Sequence, residues 1–317
     1  MRDISSKQIS LRTARAVAVV LCSQYTLELM KNDDLPKGNL FDVARAAGFL
    51  AAKQTQMLIP HCHPVSIDGM NISYAYLDEA NLPEEIQTLA GKTGVAIIGE
   101  GKSIGRTGIE METLTTVSIS ALTIYDLLKP LADPELEITS IKLLKKTGGK
   151  SDRIKFTKVR QAAAVLVCSD GTASGKRDDK SGLLIQEMLK PHNIEIADYK
   201  ILPDDTLAIR EQVQSWVAQK IPFIFTTGGT GFGPRDNTIA AIQPILEKEA
   251  SGITEAMRVH GQMRTPLAMM SRSVAGSIGQ TLIVTLPGSS TGVRESLDAI
   301  LPAVFHARNM LRGGGHE

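Results

Sequence analysis

The stretch IPFIFTTGGTGFGPRDNT, Ile221 to Thr238, runs an apolar segment straight into four glycines and then Arg235-Asp236. A short apolar run bounded by glycine reads as a strand buried on both faces, as strands of parallel sheets are. Glycines after such a strand let backbone N–H groups converge on an anion without Cβ interference. The same design occurs twice more. AAAVLVCSD (162–170) leads into SDGTASGKRDDKSG (169–182), and QTLIVTLPG (280–288) leads into LPGSSTG (286–292). Between these strands Ile209, Val213, Trp216 and Val217 fall at i, i+4, i+7 and i+8, a helical spacing. Strand, loop and helix alternate, which predicts a doubly wound parallel α/β sheet with ligands at the strand C-terminal ends. Asp236 is a candidate Mg²⁺ carboxylate, and Lys176 and Arg235 are candidate phosphate cations. One glycine turn alone is equally a connector, and an Asp behind it a helix N-cap; three at equivalent positions favour a binding mouth. Neither a Walker A loop nor a Rossmann glycine fingerprint is present.

Upstream, the polar and basic segment KKTGGKSDRIKFTKVRQ (145–161) separates a differently patterned half, so two domains are expected, 1–152 and 159–317. In the first half FDVARAAGFLAAKQTQML (41–58) carries Val43, Ala46, Ala47, Leu50 and Gln54 at helical spacing. EMETLTTVSISALTIYDLLK (110–129) places Met111, Leu114, Ser118, Ala121, Leu122, Tyr125 and Leu128 on one stripe. VSIDGMNISYAY (65–76) and LEITSIKLL (136–144) read as strands, with a turn or bulge at Asp68-Gly69. These elements predict a two-layer α+β sandwich, ferredoxin-like, with a partly antiparallel sheet.

The chain has 317 residues, 43% of them hydrophobic and 22% charged, with a formal net charge of +1. That charge, with only 4% aromatic residues, argues against a nucleic-acid partner. Cys22, Cys62 and Cys168 form no Cys-x-x-Cys pair and read as reduced thiols. No signal-like leader or membrane-length apolar run is evident, so a cytoplasmic location is expected.

The first half also carries polar residues that packing does not require. They include Lys37, Lys53, His61-Cys62-His63, Glu110, Glu112, Asp126, Lys129 and Lys146. Lysines with glycines suit a polyphosphate, and carboxylates with a His suit proton transfer. Each also has a plainer reading: Glu110 and Glu112 as complements of a helix N-terminus, Asp126 and Lys129 as a surface pair at i, i+3. Two His two apart are weak evidence for a metal.

Taken together, the motifs are specific. MRDISSKQISLRTARA, PKGNLFDVARAAGFLAAKQT, LIPHCHP, GRTGIEMETLT, SALTIYDLLK and LLKKTGGKS, in this order over residues 1–151, resemble MoaC, the cyclic pyranopterin monophosphate synthase family. The resemblance implies conversion of 3′,8-cyclo-7,8-dihydro-GTP to the cyclic pyranopterin monophosphate with loss of pyrophosphate, and no tightly bound cofactor. It assigns proton transfers to Lys53, Lys129 and Asp126, and pyrophosphate stabilisation to Lys146. Lys37, His61, Cys62, His63, Glu110, Met111 and Glu112 fall on the substrate side. Over residues 162–311, SGKRDDKSG, LPDD, TTGGTGFGPRDNT, EAMRVHGQMRTPLAMMSR and LPGS resemble the MogA/MoaB family, whose active members adenylylate molybdopterin with ATP and Mg²⁺. Asp204 and Asp236 would be its functional carboxylates, and Asp179, Gly228, Gly229, Gly231 and Ser289 would line the nucleotide and pterin mouth. The chain departs from the family patterns at four sites. Ile239-Ala240-Ala241 replaces Pro-Glu-Ala, Ser290-Thr291 replaces Pro-Lys, His61 replaces Leu, and Arg106 replaces Lys. The expectation is a fused, two-activity enzyme, with a non-catalytic pterin-binding C-terminal half as the alternative. Its partners would be small pterin precursors and nucleotide, in a homo-hexamer or homo-trimer.

Overall fold

The protein is described from a computed structural model, which covers residues 1–36, 38–79, 82–89, 92–149 and 159–314. The chain divides into two compact units, Met1–Asp152 and Arg153–Glu317. The segment read as the seam and Lys37 lie wholly or partly outside the described residues.

Unit 1 contains β1 (Ser10–Leu21), α1 (Gln24–Lys31), α2 (Leu40–Leu58), β2 (Gly69–Tyr76), β3 (Gly94–Gly105), α3 (Glu110–Leu128) and β4 (Glu137–Thr147). The sheet order is β2-β3-β1-β4, the ferredoxin-like arrangement, and every described pair is antiparallel rather than only some of them. β1 explains the two layers. Its Ala16, Ala18 and Val20 enter the core under the helices, while Val17 and Val19 join a smaller cluster on the other face with Leu77, Leu82 and Ile86. Gly69 begins β2, so Asp68 precedes the strand; its carboxylate accepts from the Ile104 N–H at 2.5 Å.

The buried faces of α2 and α3 are not the expected ones. α2 buries Leu40, Ala44, Gly48, Ala51, Ala52 and Thr55, leaving Val43 and Leu50 45% and 57% exposed. α3 buries Thr113, Thr116, Val117, Ser120, Ala121, Ile124 and Leu128, while Met111, Leu122 and Tyr125 stay exposed. The reason is close packing between small residues. A Cβ on Gly48 would collide with the Ser120 hydroxyl, which donates to the Ala44 carbonyl at 3.0 Å. The buried hydroxyls of Thr113 and Thr116 are satisfied by the carbonyls of Ile109 and Glu112, at 2.8 and 2.7 Å.

Unit 2 contains β5 (Gln161–Cys168), α4 (Asp170–Ala173), α5 (Ser181–Leu189), β6 (Ile194–Leu202), α6 (Thr206–Ala218), β7 (Phe223–Thr227), α7 (Thr238–Ile242), β8 (Lys248–Glu249), α8 (Ser251–Gln262), β9 (Ala275–Ile278), β10 (Thr281–Leu286), α9 (Ser290–Ile300) and α10 (Ala307–Leu311). The sheet order is β6-β5-β7-β10-β9-β8. The first four strands are parallel, and β9 and β8 add an antiparallel edge absent from the sequence expectation. Helices cover both faces. Ile209, Val213 and Trp216 are fully buried on one, and Ile185, Leu189, Val293 and Leu297 on the other. α9 ends at Ile300, and Pro302 lies in the break before α10. From β5 the chain passes to β6 on one side and then to β7 on the other, so a topological switch point lies between the ends of β5 and β7. No helix among the described residues is long and apolar enough to cross a membrane.

Candidate functional site

The switch point of unit 2 is held open by backbone geometry. Gly228, at φ +93°, follows β7 so closely against β5 that a Cβ there would collide with the Cys168 carbonyl oxygen. Gly229, at φ +61°, sits beneath two polar atoms, the buried Thr238 hydroxyl and Asp204 Oδ1. Asp204 Oδ1 is buried without a hydrogen-bond partner. Asp204 bonds reciprocally with Asp170: Asp170 N–H donates to Asp204 Oδ2 at 3.2 Å, and Asp204 N–H donates to Asp170 Oδ1 at 3.1 Å; the Asp204 carbonyl accepts from Asn237 Nδ2 at 2.7 Å. Burial raises the Asp204 pKa first, and the Asp170 and Asp236 carboxylates add to it, opposed by the Asp170 N–H and Arg235. Arg235 forms an ion pair with Asp170. The sequence reading passed over Asp170; its position at the end of an apolar strand was the available signal.

Asp236 folds back on its own loop, accepting from the Gly233 N–H at 2.6 Å. Arg272, also missed, clamps that loop through the carbonyls of Gly231 and Asp236, at 2.7 and 3.0 Å, and lies over the Phe232 ring. Asp179 is occupied otherwise than expected. Its oxygens accept from Gly182 N–H at 2.9 Å, Leu183 N–H at 3.1 Å, the Ser181 hydroxyl and the Tyr199 hydroxyl, so it caps α5. Ser289 caps α9 by accepting from Gly292 N–H at 3.1 Å. Lys176 is exposed.

No three described His, Cys, Asp or Glu side chains form a metal-ligand group. A Mg²⁺ ion would therefore take one or two carboxylates here and complete its shell with phosphate oxygens and water. The partnerless Asp204 Oδ1 fits that requirement; Asp236 accepts from Gly233 through Oδ2 and has its second oxygen to offer such an ion.

In unit 1 the expected residues whose contacts are described fall into two groups at opposite ends of α3. At its start Lys146 meets Glu110 at 3.1 Å. Burial raises the Glu112 pKa, with Glu110 adding to the shift. Cys62 is near enough to Glu112 that, beyond burial, this carboxylate raises its thiol pKa, and His63 lies within electrostatic range of Asp3. Met111 is 38% exposed, and His61 and Lys53 are exposed. At the other end Lys129 and Asp126 pair at 2.6 Å, as their spacing predicted. That hydrogen bond and charge raise the Lys129 pKa. Glu110 and Asp126 are 16 residues apart, about 24 Å along the axis. One copy of the chain does not bring the two groups together.

Residues 1–149 match the MoaC family, and residues 164–306 match the probable molybdopterin binding domain. The molybdenum cofactor biosynthesis bifunctional protein of Chlorobaculum tepidum is 38% identical over 316 residues, covering 100% of this chain and 96% of that one. Its namesake from Synechococcus elongatus is 34% identical over 327 residues, covering 100% and 98%. The cyclic pyranopterin monophosphate synthase of Syntrophomonas wolfei is 42% identical over 154 residues, covering 49% of this chain and 90% of its own. Matched end to end by two bifunctional relatives and half by half by the two domain families, the chain belongs to the bifunctional molybdenum cofactor biosynthesis proteins, a MoaC domain followed by a MogA/MoaB-type domain.

Proposed function

We propose that unit 1 converts 3′,8-cyclo-7,8-dihydro-GTP to cyclic pyranopterin monophosphate and that unit 2 adenylylates molybdopterin with Mg-ATP. In the first reaction the guanine ring opens and recloses through proton transfers assigned to Lys53, Lys129 and Asp126. A sugar oxygen then attacks the α-phosphorus, and the bond to pyrophosphate breaks. Lys146 offsets charge on that leaving group; Glu110, Met111, Glu112, Lys37, His61, Cys62 and His63 hold substrate. Lys129, its pKa raised by Asp126, starts as the proton donor. The separation of the two groups along α3 supports a site completed by a second copy, as do the apolar side chains exposed on α2 and α3. This agrees with a homo-hexamer or homo-trimer. Mixing inactive Lys129→Ala and Lys146→Ala proteins restores pyrophosphate release if the site is shared between copies; no restoration places it within one.

For unit 2, the supporting observation is the Asp204–Asp170–Arg235 group at the switch point, with Asp204 Oδ1 unpartnered. The phosphate oxygen of molybdopterin attacks the α-phosphorus of ATP, forming the new P–O bond as pyrophosphate leaves. Bound Mg²⁺ would supply charge neutralisation of the phosphates, with Asp204 and Asp236 as its protein ligands. A second reading, a pterin-binding module without turnover, is favoured by Asp236 accepting from its own loop and by Ser290-Thr291 in place of Pro-Lys. Mass spectrometry of the full chain with molybdopterin, Mg²⁺ and ATP separates them. Adenylylated product that is lost in Asp236→Ala supports the transferase; bound pterin without product supports the module.

A further inference from the structure

Asn237 stands at the N-cap position of α7, yet its side chain makes no capping bond. An N-cap Asn ordinarily accepts from a backbone N–H of the first helical turn, which is why the residue is favoured there. Here the amide reaches across to another loop, and its Nδ2 donates to the main-chain carbonyl of Asp204 at 2.7 Å. The two residues are 33 positions apart in sequence, and their bond joins the loop after β7 to the loop after β6. A helix starts on each side of it, with Asp205 capping α6 and Thr238 opening α7.

The residue on the other side of Asp236 is tied as well. Arg235 pairs with Asp170 at the end of β5, and Asp170 exchanges hydrogen bonds with Asp204. The loops after β5, β6 and β7 thereby close into a triangle, with Asp236 between the two residues that hold its loop to the others. Arg272 fixes the shape of the Asp236 loop through the carbonyls of Gly231 and Asp236. The Asn237 bond does something different, because it links the two carboxylate-bearing loops directly. Resting on the adenylyltransferase reading, we propose that Asn237 is a positioning residue that sets the spacing of Asp204 and Asp236 for a divalent cation. It acts through the Asp204 carbonyl, touching neither ion nor substrate. Mg²⁺ tolerates little variation in ligand position, so carboxylates on loops that drift apart hold it less well.

The test measures ATP binding to the full chain by calorimetry, without molybdopterin, in Mg²⁺ and in EDTA. Serine caps a helix about as well as asparagine but is too short to reach the Asp204 carbonyl, so Asn237→Ser removes the tie and keeps the cap. It should weaken ATP about three- to tenfold in Mg²⁺, as loss of one neutral hydrogen bond implies, and leave the affinity in EDTA unchanged. General loss of structure lowers both. In an Asp236→Ala background the same substitution should cause no further Mg²⁺-dependent loss, since the positioned carboxylate is already gone. Any binding by unit 1 is common to all the proteins compared. Unchanged affinity in Mg²⁺, equal losses in Mg²⁺ and EDTA, or a loss undiminished in Asp236→Ala overturns the assignment. Any of these together with AMP transfer by wild type sinks the positioning role alone. A Mg²⁺-specific loss that depends on Asp236, without AMP transfer by wild type, keeps the role in nucleotide binding and sinks the transferase reading.

Discussion

Replacing Gly228 by Ala separates two contributions to the geometry of the unit 2 mouth. The residue sits at φ +93°, outside the region open to an L side chain, which costs on the order of 1–3 kcal/mol. Its Cβ would also meet the Cys168 carbonyl, backbone that cannot rotate away, adding about 1–3 kcal/mol of overpacking. The combined loss, about 2–6 kcal/mol, is a large share of the 5–15 kcal/mol typical of a domain. Gly175→Ala provides the comparison, because Gly175 has φ +70° but nothing lies within 4 Å of where its Cβ would stand. Trp216 is the sole tryptophan, fully buried in unit 2 with its indole N–H on Asp198 at 2.9 Å, so fluorescence during urea unfolding reports this unit. At a slope of about 2 kcal/mol/M the Gly228→Ala midpoint should fall by roughly 1–3 M. The fall should exceed that of Gly175→Ala by the collision term. Equal shifts for the two variants refute the claim that β5 and β7 meet too closely at this point for a side chain.

Asp204→Asn should stabilise unit 2 near neutral pH. The native state binds this proton more tightly than the unfolded chain, so stability falls as pH rises through the raised native pKa, and the gain from Asn disappears below the ordinary Asp value near 3.9. Trp216-monitored urea midpoints at acid and neutral pH check it, and a gain that grows toward acid contradicts it. Asp179→Ala should lose an α5 cap and leave the Tyr199 hydroxyl without its acceptor, costing about 1–3 kcal/mol. A loss of nucleotide affinity larger than the loss of folded fraction would show a direct contact instead. Asp126→Asn should lower the Lys129 pKa, read by NMR titration of labelled lysine, since Asp126 is the main cause of its upward shift. An unchanged titration means that the pair does not persist in solution.

Much of the protein was legible along the chain. Apolar runs ending in glycine mark β5, β7 and β10, because a strand buried on both faces must be apolar throughout and a backbone-lined anion site must omit side chains. Helical spacing placed Ile209, Val213 and Trp216 in the core and paired Asp126 with Lys129. Packing partners lie outside what such local signals carry. A period of 3.6 identifies α2 and α3 as helices without choosing the neighbour each face meets. Close approach at Gly48 and Ser120 selected the small face and left Val43, Leu50 and Leu122 outside. The reciprocal bonds of Asp170 and Asp204 join positions 34 residues apart and exist because parallel pairing brings the ends of β5 and β6 together. The two ends of α3 lie in one unbroken helical stretch of sequence, yet a rigid helix holds them about 24 Å apart. Residue chemistry is written in the chain; which groups can act on one molecule is decided by the distances that the tertiary structure imposes.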